Sequence, residues 1–178
     1  MQENQGQATD LQEALSSLGR FLEEVDANIW QRMSDVAYAW TQLPAFPSTV
    51  GAHLRHLLDH IEALLDGLSE GRVQYDRRQR GRPEESQRDA GHERLRRLLV
   101  HLDGNASLQN DRDLLIEMYV DPDQAPIWIP STLLREIAFV HHHGVHHAAM
   151  IAVQMRAFGL SPTPELGVAP ATLAYYRQ

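Results

Sequence analysis

The sequence predicts an all-α protein, an antiparallel, up-down-down-up-like four-helix bundle with a small β-hairpin inserted before the last long helix. Two observations carry that expectation. Four segments repeat apolar residues every three and four positions, the period of a helix with one buried stripe. Between the third and fourth segments, two apolar runs flank a turn-forming Asp121-Pro122-Asp123-Gln124.

The first helix is expected to start at Thr9 or Asp10, with Gln12 and Glu13 placed to close a capping box. Its stripe runs from Leu11 through Leu18, Val25 and Val36 to Leu43, where Pro44 and Pro47 stop it. Ser48 or Thr49 caps the second, which carries Val50, Leu54, Leu57, Leu58, Ile61, Leu64 and Leu65 and ends near Leu68. Gly71 to Arg82, rich in Arg and Gly, reads as a loop. Pro83, followed by Glu84 and Glu85, opens a third helix, which breaks near Gly104-Asn105. The hairpin spans Leu114 to Ile129, with Pro126 confining its second strand to an edge. Ser131 caps the fourth long helix, which ends near Phe158-Gly159. The expected organisation is a disordered N-terminus at 1–9, the bundle at 10–160, and a tail at 161–178 with a short helix from Pro170 to Arg177.

Length and composition narrow the function. A chain of 178 residues suits one domain. The net charge of −8 argues against nucleic acid as a partner. There is no Lys, and nine of the 16 Arg lie between Arg72 and Arg97, so positive charge is local. No apolar run approaches the roughly 18 residues of a membrane span, and the polar N-terminus does not read as a secretory signal, so a cytoplasmic location is expected. With no Cys, a thiolate ligand and a cysteine nucleophile are excluded, and any metal must use N and O donors.

Histidine is the informative residue. Eight of the ten His fall in two helical windows: His53, His56 and His60, then His141, His142, His143, His146 and His147. Histidines four apart lie one turn apart on one face and can converge on one ion. The second window holds two such pairs. Placed at about 100° per residue, His147 falls roughly 50° and His143 roughly 90° from the centre of the apolar stripe, while His142 and His146 fall roughly 150° away. His143 and His147 are therefore the expected inward pair. In the first window, His53 and His60 flank the aliphatic stripe and His56 lies well off it, so the stripe alone favours His53 or His60.

Two segments resemble the DinB/YfiT-like superfamily of metal-binding four-helix-bundle proteins. One is Thr49-Val50-Gly51-Ala52-His53-Leu54-Arg55-His56-Leu57-Leu58-Asp59; the other is His143-Gly144-Val145-His146-His147. The resemblance implies His56, His143 and His147 as a metal triad, with His60 as an alternative or supporting residue. It implies one divalent transition metal (zinc first, then nickel, iron or cobalt) and a homodimer. It also implies a metal-dependent hydrolase, or a transferase of low-molecular-weight thiols, acting on a small molecule. Tyr75-Asp76-Arg77-Arg78-Gln79-Arg80 is similar to a further stretch in some members.

Three His leave a coordination position open for water or substrate. Glu136, two turns before His143, and Asp59, close to His56, are the candidate bases or ligand-orienting groups. The competing expectation is a non-catalytic module in which the metal only staples two helices together.

Overall fold

The computed structural model describes residues 2–77 and 81–178, with side chains described from Thr9 onward. Among the described residues there are six α-helices and a three-stranded mixed sheet, which replaces the expected four-helix bundle with a hairpin. The helices are α1 (Gln2–Arg32), α2 (Asp35–Tyr38), α3 (Val50–Gly67), α4 (Arg88–Leu102), α5 (Leu133–Ala157) and α6 (Pro170–Tyr176). The strands are β1 (Arg72–Gln74), β2 (Asp113–Met118) and β3 (Ile127–Thr132).

Three local causes explain the departures. First, α1 does not continue to Leu43. Ser34 turns into an extended conformation, and its Oγ accepts from the Ala37 N–H, which starts α2 as a separate turn. Val36 and Leu43, expected on the buried stripe, are consequently exposed. Second, the segment read as a loop after Gly71 contains β1, which pairs in parallel with β2. Gly67 allows this: a Cβ there would lie 2.3 Å from the Arg72 carbonyl oxygen, so no larger residue lets the chain return so closely. Third, α1 is helical from Gln2, where residues 1–9 were expected to be disordered. Gln2, Glu3 and Gln5 are good helix formers, and they extend a helix that is already nucleated by its packed C-terminal part.

Other expectations match the structure in whole or in part. Thr49 caps α3 by accepting from the Ala52 N–H. Pro83, expected to open the third helix, instead opens a separate 3-10 turn (Pro83–Glu85), and α4 begins only at Arg88. The cap of α5 is Thr132, one residue past Ser131. The hairpin strands β2 and β3 are antiparallel, and Ile116 faces Ile129 across them. Leu133 N–H donates to the Arg112 carbonyl, continuing the ladder, so Trp128 and Pro130 turn their backbone groups to the open edge. Pro130 thus sits where its missing N–H costs no ladder bond.

The core lies among α1, α3, α4 and α5. Leu18, Leu22 and Val25 of α1 meet Leu57, Leu58 and Ile61 of α3 and Ile137, Val140 and Ile151 of α5 in one continuous apolar cluster. Helix α3 packs against both α4 and α5, so two of its faces are buried. No described helix is long and apolar enough to cross a membrane.

Candidate metal centre

The seam between α3 and α5 gathers five imidazoles. His56 and His60 project from α3 and His143 from α5, and one ring nitrogen of each lies within 4.8 Å of the others. Such a group can hold a metal ion. His56 Nε2 and His143 Nε2 are 3.2 Å apart. Two nitrogens of a tetrahedral zinc site are separated by about 3.3 Å when each bond is about 2.05 Å, so this pair already has the required spacing. His60 Nδ1 lies 2.9 Å from the His56 carbonyl oxygen. A carbonyl only accepts, so Nδ1 carries the proton and Nε2 is the nitrogen able to coordinate a metal. A ligand imidazole fixed through its second nitrogen is the usual arrangement at metal sites.

Packing makes this convergence possible. Gly144 follows His143 on α5, and a Cβ there would approach Phe21 to 2.7 Å. The missing side chain lets α5 settle against α1 and α3. Aromatic rings back the cluster: Tyr75 stacks on His60 at 5.3 Å, and Phe139 stacks on His143 at 5.8 Å.

Two of the three ligands implied by the resemblance, His56 and His143, are brought together. The third member of the tight group is His60 rather than His147. His147 is buried beside it, with ring centroids 4.5 Å from His56 and 4.7 Å from His143, and its Nδ1 is 3.2 Å from His53 Nδ1. Burial, reinforced by His143 and His53, pushes the His147 pKa down to about 3, so the ring is neutral at pH 7. His53 is lowered as well, by burial first and by His146 second. His142 and His146 are exposed, on the outer face where the helical wheel places them. The signals for His60 were its place beside the aliphatic stripe and its spacing of four from His56; the stripe argument missed His56 because it allows a helix only one buried face.

Neither candidate base is a disengaged carboxylate. Asp59 lies on the α4 side of α3, where Oδ2 accepts from Arg55 at 2.5 Å and Oδ1 accepts from Arg94 at 2.7 Å. Arg94 is 1% exposed and also binds Glu62. Burial alone would lower its pKa, but the hydrogen bonds to Glu62 and Asp59 outweigh burial and raise it. Glu136 is fully buried and accepts from Tyr75 Oη, Ser131 Oγ and Arg135. Tyr75 stacks on His60 and so links Glu136 to the histidine cluster. Of the Tyr75-to-Arg80 stretch, Arg78, Gln79 and Arg80 lie outside the described residues.

No protein-family model matches this chain, and no solved structure matches it significantly. The chain is similar to part of FK506-binding protein 5 of Rhizopus delemar, at 29% identity over 107 residues, which are 60% of this chain and 28% of that protein. A likeness of that extent leaves the family open, so the functional reading rests on the site.

Proposed function

We propose that this chain holds one divalent transition metal ion on His56, His60 and His143 and works as a metal-dependent enzyme on a small molecule, either as a hydrolase or as a transferase of low-molecular-weight thiols. The observation that carries the reading is the convergence of three imidazole nitrogens from α3 and α5 within 4.8 Å. The resemblance of the two histidine segments to the DinB/YfiT-like superfamily supports it. His147 is the alternative third ligand, one helical turn from His143. A divalent ion on three neutral imidazoles supplies Lewis acidity and an uncompensated positive charge, which suits activation of water or of a substrate thiol. The chain supplies no thiolate of its own, which favours zinc over copper(I) but leaves nickel, iron and cobalt as competitors for the same nitrogen donors.

Elemental analysis of protein purified without a tag tests the site. About one equivalent of metal is expected, falling sharply in His143→Ala; stoichiometric metal in that variant would sink the assignment. A second reading, a non-catalytic staple, is favoured by the ligands' origin on two packed helices. The visible spectrum of the cobalt(II)-substituted protein separates the two. A change on adding azide or a small thiol shows an open coordination position; an unchanged spectrum leaves the staple.

A further inference from the structure

Tyr75 and Phe139, the two rings that back His60 and His143, also line a cavity of about 150 Å³. Ile116 and Met118 of β2 and Ile129 of β3 complete its apolar lining. A cavity of roughly that volume with aliphatic and aromatic walls accommodates a single benzene ring. We infer that this cavity is a binding site for a small anion with one apolar group, either a single ring or a short branched chain. As a substrate subsite it rests on the metal reading above.

The polar groups of the cavity select the charge. Glu136 lines it, but its carboxylate is already saturated by Tyr75 Oη at 2.7 Å, Ser131 Oγ at 2.5 Å and Arg135 at 2.7 Å. Each hydroxyl has thus given its only proton to Glu136. The guanidinium of Arg135 has N–H groups to spare; its side chain is 61% exposed and its charge lies 5.2 Å from the Phe139 ring centre. A planar fork of donors beside an apolar slot matches a carboxylate attached to a compact hydrophobic group. A ligand held there touches the same two rings that stack on His60 and His143. The site therefore favours substrates whose anionic end stays at Arg135 while the reactive end reaches past Phe139 or Tyr75.

Benzoate is the probe, with benzamide as its neutral isostere. Ligand-observed NMR on the metal-free protein is expected to show saturable benzoate binding and at least about tenfold weaker benzamide binding, the loss of one charge-assisted hydrogen-bonded pair. Arg135→Gln should weaken benzoate by a similar factor. Ile129→Trp, at a position 36% exposed and so tolerant of a larger ring, should abolish it. Absence of saturable binding at millimolar benzoate, or unchanged binding in Ile129→Trp, overturns the assignment. Cobalt(II) loading then separates the two proposals. Enhanced relaxation of the benzoate protons supports both. Benzoate binding without cobalt uptake keeps the cavity and sinks the metal reading; cobalt uptake without benzoate binding does the reverse.

Discussion

Helix α3 buries polar side chains on two faces, and the two faces are built on opposite principles. Toward α4 and the Pro83 turn it presents Arg55, Asp59 and Glu62, which join Arg94, Glu84 and Glu85 in a network of paired charges. Toward α5 it presents His53, His56 and His60, which meet His143 and His147 with no carboxylate in the tight group. The first face is electrically closed, since every carboxylate there has a guanidinium partner. The second brings imidazole nitrogens together at 3.2 Å, a spacing that suits an added cation. Burial alone therefore does not mark a functional group. What distinguishes the second face is a tight group of three imidazoles, with no carboxylate among them, that can hold a metal ion.

The comparison can be broken most forcefully on the closed face. Arg94→Leu leaves Asp59 with Arg55 alone and Glu84 with Arg82 alone, removes the buried cation that joins them, and should cost about 3–5 kcal/mol, read by urea unfolding; a loss below about 1 kcal/mol would mean the network is not closed. On the histidine face the same kind of deletion should leave folding nearly intact but remove metal. His143→Ala should weaken zinc affinity by at least about 100-fold, measured by competition with a chromophoric chelator, whereas His146→Ala should change it by less than about threefold because that ring is exposed. Gly144→Val sharpens the point. Overpacking against Phe21 should cost about 1–3 kcal/mol and, by moving α5 outward, should weaken metal binding as well. The smallest effect expected is at Tyr38, fully buried, which donates to the Glu84 carbonyl at 2.5 Å beside the closed network. Tyr38→Phe should cost about 1 kcal/mol. Burial, then Glu84, raises the Tyr38 pKa above its ordinary value of 10.0. The unfolded chain therefore loses this proton first as pH rises. The stability tied to it is complete below pH 10 and is lost above it, so melting temperature should fall on alkaline titration, and less steeply in Tyr38→Phe.

Much of this was legible in the sequence because it depends on neighbours along the chain. Thr49 and the stripe from Val50 to Leu65 specify a cap and a face locally. β1 was not legible: Arg72-Val73-Gln74 has one buried residue, and its partner lies some forty positions away in β2. The break at Ser34 was hidden because Met33 and Val36 continue the apolar spacing straight through it. In the site, the outward pair His142 and His146 followed from the wheel, since α5 presents one buried stripe. His60 followed from it too, as one of two residues flanking the aliphatic stripe of α3; His56 did not, since α3 is flanked on two sides, and an imidazole that meets α5 need not share the face of its aliphatic residues. The cavity beside Arg135 is assembled from β2, β3, α5 and Tyr75, and no linear pattern announces it.

Pro130 has a consequence for how copies of this chain behave in a crowd. The free edge of β3 carries Ile127, Trp128 and Ile129, the composition of a strand that recruits others. At the positions facing outward, however, Pro130 has no hydrogen to give, and Thr132 is already committed to starting a helix. A strand arriving from another molecule finds at Trp128 the one place where it can both donate and accept. The sheet therefore ends at β3 for want of donors, and the same proline that shapes the rim of the cavity keeps an apolar edge from becoming a template for fibres.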